Sequence, residues 1–305
     1  MLEACFLGQF RLHAEVYHCD ITMRSPARSL FAFLSLNPDR KFRREVLAAE
    51  LWGQPPMDIM KRLRQALHEI KLAFNGTPLD HNDFLAAETG TIEFIGNAPI
   101  RTDVHKFMAL TSESLSDTPS EADAIALQKA AGLYQGDLLP GCHDDWCLGP
   151  RELLRLQYLN ALECVMHHHL HRSEWNAAIA AGAKLLAHDP ILEHIHRKIM
   201  ASHQMKGDRA SAIAQYESCK RTLQQKLGVS PMKETTQLYE RIIADADMES
   251  STVIDFGLAS TGASGAGQPI GALLDGALNT ISGTERSLQS MRATLAEAKR
   301  RTDSG

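Results

Sequence analysis

The sequence predicts a mainly α chain with a small β component, organised as two folded parts and an appendage. Three observations lead there. Runs rich in strand formers are confined to the first hundred residues, around "ACFLGQFRLHAEVYHC" and "FLAAETGTIEFIG". Helical periodicity dominates the middle of the chain, where one segment repeats. A low-complexity stretch, "GLASTGASGAGQPIG" at 257–271, then sets off the C-terminal segment. A length of 305 residues gives room for two domains and an appendage.

Taken in order, "ACFLGQFRLHAEVYHC" alternates imperfectly and predicts two or three short strands. In "RSPARSLFAFLSL", Ser25 is expected as N-cap and Pro26 as the first helical residue, where its missing N–H costs nothing. Leu30, Phe31 and Leu34 supply a core face, and "NPD" at 37–39 ends this helix. "RKFRREVLAAELWG" predicts a second helix with Val46, Leu47 and Leu51 inward, stopped by Gly53 and Pro55-Pro56. A third helix, "MDIMKRLRQALHEIKLAF" at 57–74, carries the stripe Ile59, Leu63, Leu67, Ile70 and Phe74 and closes at Asn75-Gly76. "FLAAETGTIEFIG" reads as a hairpin turning around Thr89-Gly90.

Bulk charge argues against a simple nucleic-acid binder, since the net charge is −5. Its distribution does not: residues 24–71 hold ten Lys/Arg against five Asp/Glu. At about 100° per residue, Lys61, Gln65 and His68 fall opposite the apolar stripe of the third helix, with Arg64 and Lys71 on one flank and Glu69 on the other. Alone, such a face suits a merely solvated helix. Its setting points elsewhere, because strands, three helices and a hairpin in that order make a winged helix-turn-helix, whose third helix enters the major groove. Arg64, Gln65 and His68 are then expected at base edges, with Lys61 and Lys71 near phosphates. Arg24, Arg28, Arg40, Lys41, Arg43 and Arg44 are the phosphate-anchoring candidates. The hairpin tip from Glu88 to Glu93 has no Arg or Lys, so it is not counted as a contact.

In the middle of the chain, "SEWNAAIA" (173–180) and "GDRASAIA" (207–214) align at an offset of 34, the period of a tetratricopeptide unit. Small residues at 177, 178, 180, 181 and 183 are expected to let neighbouring helices approach closely. Flanking helices are expected from 121–136 and 150–166. The fold class is thus an N-terminal winged helix-turn-helix plus a TPR-like α-helical repeat domain.

Several constellations suggest chemistry without completing it. Cys164 with His168, and His167 with His171, stand at i,i+4 spacing that can hold zinc, but no third ligand is evident nearby and no metal site is assigned. In "GCHDDWC", Cys142 and Cys147 do not form a redox CxxC. No glycine-rich phosphate loop, GxSxG or HExxH occurs. No catalytic residue and no cofactor are therefore predicted, and the chain is not expected to be an enzyme. No run of about 18 apolar residues is present to span a membrane. An acidic residue at position 3 and no basic n-region argue against a signal peptide, so a cytoplasmic protein with reduced cysteines is expected.

The segments "RSLFAFLSLNPDRKFRREVLAAELWG", "LRQALHEIK" and "TDVHKFMAL" resemble the OmpR-type winged helix of the SARP class of bacterial activators. The resemblance implies that the loop after Trp52, Gln54, Pro55, Pro56, Met57 and Asp58, touches RNA polymerase. "LYQGDLLPG" (133–141), "DDW" (144–146), "RELLRLQYLNALE" (151–163), the long run at 185–231 and "TTQLYERII" (235–243) are similar to the bacterial transcriptional activator domain. On that likeness Asp144, Asp145 and Trp146 are structural landmarks, with Trp146 at the seam between domains. The expected layout is a winged DNA-binding domain at 1–106, an activator domain at 107–250, and at 251–305 a flexible linker with a short amphipathic helix (284–301). The implied function is sequence-specific transcription activation, with double-stranded DNA, RNA polymerase and further copies of the chain as partners and no membrane. The competing reading is a helical-repeat protein–protein adaptor whose winged domain no longer binds DNA.

Overall fold

Alternating apolar residues and tight turns build a sheet at the start of the chain. β1 (Leu2–Cys5) pairs antiparallel with β2 (Arg11–Ala14), placing Leu2 opposite Ala14 and Cys5 opposite Arg11. β3 (Cys19–Asp20) adds to the free edge of β2. In this computed structural model residues 2–14, 19–53, 56–75, 77, 80–88, 90–98, 100–112 and 120–244 are described. The linker and helix expected at 251–305 lie outside the described residues.

α1 (Ser25–Ser35) comes next, then β4 (Phe42–Arg43), α2 (Arg44–Trp52), α3 (Pro56–Phe74), β5 (Leu85–Ala87) and β6 (Thr91–Phe94). β7 (Ile100–Thr102) returns parallel to β1, so the first sheet has the order β3-β2-β1-β7. The second has the order β4-β6-β5, with the hairpin where the sequence puts it. This is the winged-helix order.

Three local expectations are corrected. Arg24, not Ser25, is the N-cap of α1, because its N–H is held by the Glu69 carboxylate of α3 at 2.5 Å. The second helix starts only at Arg44, because Phe42 and Arg43 pair with Ile92 and Thr91. Tertiary pairing overrides the helical preference of that segment. Starting there, α2 buries Leu47, Ala48 and Leu51 and turns Val46 outward, 55% exposed.

One ring organises this half. Phe31 of α1 meets Phe6, Phe74, Phe84 and Phe94 at centroid distances of 6.4, 6.2, 5.8 and 5.9 Å. Those partners come from the end of β1, the last turn of α3, the start of the hairpin and β6. Each such pair adds about 0.5–1.5 kcal/mol beyond area burial.

The remainder is helical: α4 (Asp103–Ser112), α5 (Glu121–Leu133), α6 (Leu148–His171), α7 (Trp175–His188), α8 (Glu193–Met205), α9 (Arg209–Leu227) and α10 (Lys233–Ala244), each packed on the next. The repeat seen in the sequence starts α7 and α9 alike, with Glu174 and Asp208 as their N-caps. Close approach in α7 comes from buried Ala178, Ala181 and Gly182, whereas Ala180 and Ala183 face solvent. A Cβ at Gly182 would lie 2.8 Å from Ile199 Cγ1 and 3.0 Å from Met166 Cε, so only glycine fits between α6 and α8 without a shift.

Backbone and side chains join the winged half to the helices. Gly8 N–H donates to Asp137 O at 3.0 Å and Leu139 N–H to Phe6 O at 2.8 Å. Gly8 has a positive φ of 93°, and a Cβ there would crowd the Gln135 backbone at 3.1 Å. The buried Asp103 carboxylate accepts from Phe6 N–H and Leu7 N–H at 2.9 Å, although burial pushes its pKa up. Trp146 lies where the sequence expects it: its Nε1 donates to Ser29 Oγ at 3.0 Å and its ring meets Phe33 edge-on at 5.2 Å. Ser29 in turn donates to Asp144 Oδ2 at 2.5 Å.

Between α6 and α8, Lys198 Nζ lies 3.0 Å from Glu163 Oε1 and also hydrogen-bonds His167, while His194 Nε2 is 3.3 Å from the same carboxylate. The His194 hydrogen bond and the Lys198 charge hold Glu163 down to about 2, and burial together with Lys198 holds His167 down to about 4.

Two outcomes are expected from these contacts. Phe31→Ala should cost about 3–5 kcal/mol in urea unfolding, the range for a large core aromatic. Both depressed groups should make the fold acid-sensitive, in two windows. Below pH 6.5 the unfolded chain protonates His167 while the folded chain resists until about 4, so stability falls between these values. The contribution of Glu163 is present above 4.5 and is lost as pH falls toward 2. Melting temperatures across pH should show both declines, and His167→Gln should flatten the upper one.

Candidate nucleic-acid interface

The apolar stripe fixes which side of α3 faces out. Ile59, Leu63, Ala66, Ile70 and Phe74 are buried, with Leu67 half-buried. Lys61, Arg64, Gln65, His68 and Lys71 are all exposed on the remaining surface. Arg64 Nε lies 3.4 Å from Met60 O of its own helix. Among the described residues no carboxylate pairs with Lys61, Arg64 or Lys71. Of the two acids of α3, Asp58 is exposed in the first turn and Glu69 is occupied in capping α1, so the cations Lys61, Arg64 and Lys71 outnumber the acids of the outer face.

A cleft of about 620 Å³ opens between α3 and the start of α1, lined by Arg24, Arg62, Gln65, His68, Glu69 and Leu72. The structure thus brings Arg24, Gln65 and His68 together. It adds Arg62, absent from the sequence-based candidates, whose guanidinium stands 4.9 Å from the Trp52 ring centre. Local spacing does not mark it, because its row borders a cleft only against Trp52 and the start of α1.

The other candidates stand elsewhere. Arg44 donates from Nε (3.1 Å) and Nη2 (2.8 Å) to Glu88 O, bracing the hairpin. Lys41 lies 3.5 Å from Glu93, Arg40 stacks 4.6 Å from the Phe42 ring centre, and Arg43 is exposed in β4. These four gather at the base of the wing. Arg28 is apart from both groups: it donates to Met23 O at 2.5 Å and lies 5.6 Å from the Phe10 ring centre, in a cleft of about 590 Å³ shared with Gly136 and Pro140.

The segment expected as a loop before the third helix is partly helix. Pro56, Met57 and Asp58 form the first turn of α3, because a proline with preset φ starts a helix at no hydrogen-bond cost. Gln54 and Pro55 lie outside the described residues. Of the histidine segment, His167 is engaged as described above and His169 Nδ1 lies 2.6 Å from Glu174. Among the described residues no group of three His, Cys, Asp or Glu side chains could hold a metal, and no helix is long and apolar enough to cross a membrane.

Residues 102–243 match the family described as the bacterial transcriptional activator domain. The regulatory protein AfsR of Streptomyces coelicolor is 25% identical over 222 residues, covering 71% of this chain and 22% of AfsR. The chain therefore spans less than a quarter of that relative's length. The regulatory protein DnrI of Streptomyces peucetius is 25% identical over 227 residues, covering 71% of this chain and 83% of DnrI. A solved structure of Mycobacterium tuberculosis EmbR in complex with a low-affinity phosphopeptide aligns with a TM-score of 0.61 and 19% identity, covering 81% of this chain and 66% of that one. That last likeness is one of fold.

Glu69→Ala would leave the Arg24 N–H without its acceptor and remove a negative charge from the N-terminus of α1. It should lower stability by about 0.5–2 kcal/mol in chemical denaturation, the usual worth of a cap. Glu69→Gln keeps an acceptor oxygen and should lose less.

Proposed function

Because the chain is a SARP-like transcription regulator carrying a bacterial transcriptional activator domain, we propose that it binds duplex DNA sequence-specifically through α3 and activates transcription by contacting RNA polymerase. The observation that carries this reading is the outer face of α3: exposed Lys61, Arg64, Gln65, His68 and Lys71, with the neighbouring acid turned away as a cap. A face rich in cationic donors is complementary to phosphate oxygens and to the acceptor-rich edge of guanine.

In this reading Arg64 takes a guanine edge bidentately, Gln65 an adenine, and His68 a third position, while Lys61 and Lys71 neutralise phosphates. Arg24 and Arg62 join them from the adjoining cleft. Arg40, Lys41, Arg43 and Arg44 approach the backbone at the wing base, where the Glu88 and Glu93 carboxylates hold the wing tip itself off the phosphates. Arg28 is the weakest of the phosphate-anchoring candidates, since it serves the seam. The segment from Gln54 to Asp58, whose last three residues open α3, is the one offered to RNA polymerase. The division into a DNA-binding part at 1–106, an activator part at 107–250 and an appendage at 251–305 belongs to the same proposal. So do assembly of several copies on repeated sites and a cytoplasmic location.

The adaptor reading draws its support from two exposed apolar side chains, Val46 on α2 (55%) and Leu72 on α3 (52%), which suit a protein surface. Selection of randomised duplex DNA by the full chain separates the two. The DNA reading expects an enriched repeat, whose spacing gives the half-site geometry.

On the selected site, Arg64→Ala should weaken binding by about 1–3 kcal/mol and relax one base position. Lys61→Ala should weaken all sequences alike and flatten the dependence of affinity on salt. Fluorescence anisotropy titrations at several salt concentrations check both. Parent-like binding by both variants would remove α3 from the groove.

A further inference from the structure

One side-chain contact links the end of α2 to the exposed flank of α3. Trp52 is the last residue of α2, which stops at Gly53 with a positive φ of 72°. Arg62 lies in the second turn of α3, and its guanidinium carbon stands 4.9 Å from the Trp52 ring centre. Arg62 also lines the cleft of about 620 Å³ with Arg24, Gln65 and His68, beside the outer row of α3.

The two partners differ in what else they do. Trp52 is half-buried, and its Nε1 is buried without a hydrogen-bond partner, so packing holds the indole and the ring face is what it offers Arg62. Arg62 is exposed, and among the described residues it makes no ion pair and no hydrogen bond. Other arginines of the winged half spend donors on the protein: Arg28 on Met23 O, Arg44 on Glu88 O and Arg64 on Met60 O. A ring attracts a guanidinium without consuming its N–H groups. A side chain held before binding loses less freedom on binding, and the planar fork stays available for two phosphate oxygens.

We propose that Trp52 is a positioning residue that holds Arg62 ready to grip one backbone phosphate of duplex DNA at the flank of α3. This rests on the DNA-binding reading and deepens it. Trp52 acts through Arg62 and touches no DNA itself. The contact is one that every sequence offers, so it contributes affinity and register, not choice of base.

The test is a double-mutant cycle in the full chain, read by fluorescence anisotropy across salt concentrations on the selected duplex and on an unrelated one. Arg62→Ala should weaken both duplexes and reduce the slope of log affinity against log salt by about 0.9, the worth of one phosphate. Trp52→Leu keeps the charge, so the slope should hold while affinity for both falls about two- to fivefold, as for an exposed cation–π contact. In the Arg62→Ala background Trp52→Leu should cost nothing further. Trp52→Phe removes no hydrogen bond and keeps a ring, so it repeats the cycle with a smaller change if the leucine variant fails to fold. Parent-like affinity and slope in Arg62→Ala, or an equal cost of the Trp52 change in both backgrounds, overturns the inference and leaves the DNA-binding reading standing. A parent chain with no salt-dependent affinity for either duplex overturns both.

Discussion

The position of the cationic helix depends on one aromatic ring. Phe31 touches aromatic residues from the end of β1, the start of the wing hairpin, β6 and α3 itself through Phe74. Flat, rigid rings at these separations leave few alternative packings, because a core at crystal-like density resists rotation of any member. With Phe74 fixed at one end and Leu63 buried in the middle, the phase of α3 is set, and with it the exposure of Lys61, Arg64, Gln65, His68 and Lys71.

α1 carries Phe31 on one side and the seam on another. Ser29 and Phe33 meet Asp144 and Trp146, so the same helix that fixes α3 also receives the helical half. The backbone exchange at Phe6–Gly8 and Asp137–Leu139, with Asp103 closing it, makes a second attachment. Two separated attachments resist both sliding and twisting. A winged half held this way moves with the helical half.

The features of this arrangement legible in the sequence are those that depend on local spacing. The four-four-three-four stripe of α3, the hairpin, and the 34-residue repeat beginning at Glu174 and Asp208 are periodic patterns, and periodicity is local information. Phe42 and Arg43 read as helix because their strand partners, Ile92 and Thr91, stand about fifty residues away. An inward Val46 belongs to the same misplaced starting point. Ser25 has the chemistry of a cap, but Glu69 reaches α1 first across a tertiary contact that no window of sequence contains. Arg62 falls outside the row opposite the stripe, and only Trp52 and the start of α1 make its own row part of a cleft.

A net charge of −5 remains compatible with a polyanion partner because of where the acids stand. Near α3, Glu69 is withdrawn to the N-terminus of α1, where a carboxylate also meets the positive end of the helix dipole. At the wing, Glu93 is paired with Lys41. Deep in the helical half, Glu163 is enclosed by Lys198 and His194. At physiological salt the Debye length is about 8 Å, so uncompensated acids beyond that range contribute little to the potential felt at α3. The field over α3 is therefore governed by its own side chains and the few that border the cleft, and those are predominantly cationic.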